Sequence, residues 1–219
     1  MATRNPLIPE NQLVWYAGYG SNLLRERFEC YIKGGKPKGS TRAYPGCRDK
    51  TDPCADRPVT LRHEFFFADH SSSWNGAVGF IRPVASNATT LARMYLISYG
   101  QFNDVVRQEN GRKVPGDIIV PLYEDLSRGA HWEITGVRLY GRLIKTGMLD
   151  EHPILTFTTT RDDFMVGPPS EAYIKMIVQG LEETYPCMRK SEILDYLGHT
   201  EGIRDAIPGK ALATWIMGH

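Results

Sequence analysis

Apolar positions change period several times along the chain, and each change marks an element. Leu13 to Tyr19 is almost continuously apolar or aromatic, the pattern of an interior strand, and it runs into Gly18-Tyr19-Gly20. Leu23, Leu24, Phe28, Tyr31 and Ile32 then recur at helical spacing. Ser21 or Asn22 stands where a cap is needed, and Gly34-Gly35 where the helix must stop. The stretch 34–58 is crowded with Gly, Pro, Lys, Arg and Asp, offers little core, and predicts a long loop that could act as a lid. Apolar runs at 59–68, 76–81 and 91–97, separated by short turns, predict consecutive antiparallel strands. Helical period returns at 101–109, where Phe102, Val105, Val106 and Glu109 share one face and Asn110-Gly111 ends the helix. Further strands are expected at 118–122, from 132–134 through 143–144, and at 154–158. After Pro168-Pro169, Ser170 caps an amphipathic helix carrying Tyr173, Ile174, Ile177, Val178, Leu181 and Tyr185, and a short helix from Ser191 to Leu197 closes at Gly198.

Two of these places carry candidate chemistry. The turn at 18–22 aims backbone N–H groups, a hydroxyl and an amide at one small volume, which suits an anion or a carbonyl oxygen. An ordinary strand-to-helix turn has the same outline. It is not a phosphate loop, lacks the spacing of a dinucleotide fingerprint, and differs from a nucleophile elbow because Ser21 follows the second glycine. Glu109 continues a core-facing stripe, so its carboxylate is either paired and structural or partly desolvated and usable as a base. Glu64, between His63 and Phe65, competes for that role, but strand alternation makes it a solvent-facing neighbour of Arg62.

Composition narrows the partners. The 219 residues carry a net charge of +1, which argues against a nucleic-acid or membrane surface as the main partner. Cys30, Cys47, Cys54 and Cys187 are too few and scattered for a disulfide framework, and without a Cys-x-x-Cys pair a metal knuckle with His63 gives way to surplus thiols. His70, His131 and His152 lack partners at ligand spacing and read as loop or edge histidines. Met1 to Glu10 has no apolar run of a signal peptide, and no segment nears the ~20 apolar residues of a membrane span. A soluble cytoplasmic protein is expected.

The word Tyr19-Gly20-Ser21-Asn22-Leu23, at the end of an N-terminal strand, closely resembles the opening motif of the gamma-glutamyl cyclotransferase-like family. The likeness extends over residues 13–111, including Trp74-Asn75-Gly76-Ala77 before the second hairpin strand. It implies an α+β fold: a small mixed or antiparallel β-barrel flanked by helices, one domain over 1–219, with an inserted loop at 34–58 and a helical extension at 168–219. It also implies that Tyr19, Gly20, Ser21, Asn22 and Leu23 hold the γ-glutamyl part of a substrate, while Glu109 moves the protons. The family's glutamate is followed directly by glycine; here Asn110 intervenes.

The implied reaction is attack of the substrate's α-amine on its own γ-carbonyl, releasing 5-oxoproline and an amine or amino acid. No cofactor or metal is called for, since intramolecular closure already has effective molarities of about 10⁵ M and above. The expected partner is a small γ-glutamyl molecule, with neither nucleic acid nor membrane and, at most, a second copy of the chain in a homodimer. A non-catalytic small-anion-binding module and a related amide hydrolase stay open as alternatives.

Overall fold

The computed structural model describes residues 11–37, 43–117, 119–121 and 123–218. The reading of Met1 to Glu10, and of 118 and 122 as strand residues, falls outside them. Eight strands and five α-helices are described: β1 (Leu13–Gly18), α1 (Arg25–Lys33), β2 (Ala55–Leu61), β3 (Phe65–Ser71), β4 (Gly76–Ile81), β5 (Thr90–Ser98), α2 (Tyr99–Glu109), β6 (His131–Glu133), β7 (Arg142–Leu149), β8 (His152–Thr158), α3 (Glu171–Thr184), α4 (Lys190–Gly198) and α5 (Gly209–Met217). No helix among the described residues is long and apolar enough to cross a membrane.

Six strands form one mixed sheet in the order β2-β5-β1-β8-β7-β6, and β3 and β4 form a separate two-stranded ribbon. Among the described strand ladders only β1–β8 is parallel; β1 lies antiparallel to β5 with Tyr16 opposite Tyr95. The expected barrel is corrected to this open arrangement: among the described residues no ladder joins β2 to β6. Pro58 fits that outcome, because a residue without an N–H is tolerated on an edge strand such as β2.

Strand β1 is paired on both sides and buried throughout its apolar run, so its period-two alternation feeds two cores. Val14 and Tyr16 face Phe28 and Tyr31 of α1 and Phe102, Val105 and Val106 of α2. Trp15 and Ala17 face the β3–β4 ribbon and α3, α4 and α5, through Phe67, Phe80, Ile174, Ile177, Leu197 and Leu212. The ribbon is tied to the sheet by the Thr158 hydroxyl, which donates to the Ile81 carbonyl at 2.6 Å and accepts from its N–H.

Several local expectations change. The single strand expected at 59–68 is broken by a bend at 62–64, so Glu64 lies between β2 and β3, exposed. Residues 119–121 are not strand, and α5 was not anticipated. The 34–58 stretch supplies core after all: Tyr44 and Cys47 are buried, and Gly46 N–H and Arg48 are held by Gln108 and Asp104 of α2. The described part at 44–48 is thus pinned to α2, and Tyr44 is part of the cavity wall. The Cys47 thiol donates to the Tyr31 carbonyl, and burial, first among its causes, pushes its pKa up.

Candidate functional site

The turn after β1 is a single 3-10 turn at Ser21–Leu23, and α1 begins only at Arg25 with Leu24 as its cap. Neither Ser21 nor Asn22 caps the helix, a correction with a clear reason: the Asn22 side chain is committed elsewhere. Its amide nitrogen donates to Glu109 Oε1 at 2.8 Å and to the Tyr16 hydroxyl at 3.0 Å. Glycines make this geometry. A Cβ on Gly18 would lie 2.9 Å from the Asn22 Cβ, and one on Gly20 would lie 2.8 Å from the Tyr173 hydroxyl. The turn's backbone is fixed from behind: Tyr95 donates to the Asn22 carbonyl at 2.8 Å, and Arg93 to the Leu23 carbonyl at 3.4 Å.

Glu109 arrives from the far side as the last residue of α2. Ser98 and Gln101 close a capping box at that helix's start, and Phe102, Val105 and Val106 anchor its apolar face. Glu109 is half-buried and, among the described residues, has no cation within 4 Å. Asn110, the residue that departs from the family's pattern, clasps the chain before β7: its side chain donates to the Tyr140 carbonyl at 3.2 Å and accepts from the Tyr140 N–H at 3.0 Å. The added residue therefore brings Tyr140 beside Glu109.

Both parts open into one cavity of about 240 Å³. Tyr19, Gly20, Ser21, Asn22 and Glu109 line it; Leu23 does not, since its side chain is in the core and its N–H donates to the Gly20 carbonyl. Tyr19 serves as wall, its hydroxyl donating to the Phe157 carbonyl at 2.8 Å. Glu64 is not among the lining residues. The inner lining is aromatic: burial, followed in effect by the nearby Glu109 charge, pushes the Tyr16 and Tyr140 hydroxyls well above the usual range and keeps them protonated. The mouth is formed by the β3–β4 turn, with His70 and Ser71 to Trp74, and by Arg138, which stands 3.7 Å from Asp69.

The most pronounced residue that sequence reasoning missed is Arg27. It is 3% exposed, its guanidinium lies 4.4 Å from the Tyr31 ring centre and 4.6 Å from that of Tyr44, and Nη2 donates to both hydroxyls. Burial pulls its pKa down, but Tyr31, Tyr44 and Glu109 push it further up, so the group stays charged. Nε and Nη1 are buried with no hydrogen-bond partner, and so is Asn22 Oδ1. Cation–π contact yields about 2 kcal/mol or more when desolvated, against several kcal/mol for burying an ion. The stack alone leaves that charge under-compensated. The signal was present in the sequence, because 24, 27, 28 and 31 fall on one helical face and Arg27 interrupts its apolar stripe.

No family model matches the chain. Histone deacetylase 5 of Arabidopsis thaliana is 35% identical over 185 residues, which cover 78% of this chain; the chain thus spans about 28% of that protein's length. Among solved structures, a gamma-glutamyl cyclotransferase matches with a TM-score of 0.46 and 16% identity, over 80% of this chain and 81% of the other. An uncharacterized protein from Homo sapiens matches with a TM-score of 0.49 and 16% identity, over 86% and 88%. A glutathione-specific cyclotransferase from yeast matches with a TM-score of 0.34 and 13% identity, over 95% and 97%.

Proposed function

We propose that the chain is a gamma-glutamyl cyclotransferase-like enzyme that cleaves a γ-glutamyl amide by ring closure and releases 5-oxoproline and an amine or amino acid. The observation that carries this reading is the 2.8 Å hydrogen bond from Asn22 to Glu109 within one cavity. It joins a carboxylate free of any cation within 4 Å, among the described residues, to the turn that resembles the family's substrate loop.

In this reading Glu109 removes a proton from the substrate's α-ammonium. The freed amine nitrogen attacks the γ-carbonyl carbon, forming the C–N bond of a five-membered lactam and placing negative charge on the carbonyl oxygen. The turn's amides face that charge, a contribution of about 3 kcal/mol for one well-aimed donor. Glu109 then returns its proton to the departing nitrogen as the original C–N bond breaks, and the ring nitrogen's second proton is relayed through Glu109 to the freed amine, which leaves as an ammonium ion. One carboxylate serves every transfer. The neutral tyrosines around it supply a poorly hydrated wall, and the mouth receives the leaving amine.

The test is Glu109→Gln with a panel of γ-glutamyl amines and lactam detected by mass spectrometry. Removing a general acid–base group should lower release about 10²- to 10⁴-fold, with circular dichroism unchanged. Undiminished turnover would eliminate the assigned base. Glutamate in place of the lactam would mark a hydrolase, and thermal-shift binding without product a non-catalytic module.

A further inference from the structure

Arg27 and Asn22 leave three buried polar atoms without partners around the same cavity, and their chemistry is complementary to one small group of atoms. Arg27 Nε and Nη1 are donors on a permanent cation; Asn22 Oδ1 is an acceptor. The orientation of the Asn22 amide is set by Glu109, since a carboxylate oxygen at 2.8 Å needs the NH₂ side of the amide and not its oxygen. Oδ1 is thereby fixed as the open acceptor. Arg27 itself is immobilised: Tyr31 and Tyr44 hold Nη2 and stack near the guanidinium, and Phe28 and Ile32 lock α1 against β1. No acidic side chain lies within 4 Å of it among the described residues. A buried cation on the cavity wall, with single donors left on Nε and on Nη1, fits a carboxylate oxygen, and an orphan amide oxygen beside Glu109 fits an ammonium.

We infer that Arg27 is the receptor for the substrate's free α-carboxylate and thereby the residue that restricts the site to γ-linked glutamyl groups with that carboxylate unmodified. Asn22 Oδ1 and Glu109 take the neighbouring α-ammonium. The α-carbon is then held by its amine, its carboxylate and its side chain, and the amine is presented to Glu109 for deprotonation. The loop amides are left for the oxyanion. This rests on the cyclotransferase reading for the identity of the ligand, but the carboxylate preference stands or falls separately. Arg27 is a specificity-determining and positioning residue; Glu109 keeps the proton transfers.

The experiment compares binding of L-5-oxoproline and its carboxamide, and of glutarate and glutaramide, to the wild-type chain, Arg27→Lys and Arg27→Gln by titration calorimetry. Wild type should prefer each carboxylate over its amide by about a hundredfold or more, the scale of a buried charge pair losing one partner. Arg27→Gln should bind acid and amide within a few-fold of each other, and Arg27→Lys should keep part of the preference, having the charge without the stacked guanidinium that fixes its place. Equal binding of acid and amide by wild type, or a preference that survives in a folded Arg27→Gln, overturns the inference without any variant needing to turn over. If the preference depends on Arg27 yet no lactam is released from any γ-glutamyl amine, the anion site stands and the cyclotransferase reading falls. If no carboxylate binds, the inference falls.

Discussion

The Asn22 amide nitrogen serves two acceptors at once, Glu109 and the Tyr16 hydroxyl, and both are on elements remote from it in sequence. Replacing it with alanine would free Glu109 from the hydrogen bond that aims it and leave a buried tyrosine hydroxyl short of a donor. Asn22→Ala should lower kcat about a hundredfold, comparable to losing one preorganised donor, with the native circular dichroism spectrum retained. Turnover within a few-fold of wild type would mean that the carboxylate is aimed by something else. At this scale the sequence was legible where a residue breaks a period. Glu109 stood out because it continues an apolar stripe, with the family resemblance choosing it over Glu64, and the same stripe logic applied to α1 would have flagged Arg27. Tyr140 and Arg138 lie in loops with no period to break, and His70 sits at the polar end of β3, so nothing in their spacing tied them to the cavity.

At the level of elements, the turn after β1 depends on how closely α3 can approach it. Gly180 permits the contact: a Cβ there would stand 2.5 Å from both the Leu23 Cβ and the Leu24 nitrogen, and backbone cannot swing aside as a flexible side chain can. Gly180→Ala should therefore push α3 off the turn. Overpacking of this kind destabilises by about 1–3 kcal/mol, seen as a lower Tm in thermal denaturation, and turnover should fall along with it. A Tm equal to wild type would show that the helix can shift without strain. Helix α3 and its Ser170 cap were readable from stripe and cap together, and Ser170 does accept from the Tyr173 N–H. Its partner surface was not, since an amphipathic stripe states that a face is covered but not by what. The capping role expected of Asn22 failed for a related reason: a tertiary partner outbid the local one.

For the whole molecule, ten tyrosine hydroxyls have pKa values raised by burial, those of Tyr16, Tyr31, Tyr140 and Tyr173 in the cavity wall among them. Such a hydroxyl keeps its proton in the native state at a pH where the unfolded chain has released it. Its contribution is complete below the unfolded value of about 10 and declines as pH rises beyond it, because the unfolded state then binds fewer protons. Tyrosinate absorbance should consequently rise in one step together with the loss of far-ultraviolet circular dichroism. Gradual ionisation of most tyrosines before unfolding would contradict the burial described. Strand order was the least readable property at this scale: alternation identified the strands, but neither the parallel β1–β8 pairing nor the open edges at β2 and β6 leave a mark in local composition.

The ribbon and the sheet contribute differently to the cavity. Its floor hangs from β1, locked between two neighbours, whereas its rim is the turn of a hairpin that belongs to another sheet. Chain length and side chains at 69–75 can thus be exchanged, by drift or by grafting, with the Asn22–Glu109 end left in register. In the reaction proposed above, the choice of departing amine is in that sense a detachable cassette on a constant engine.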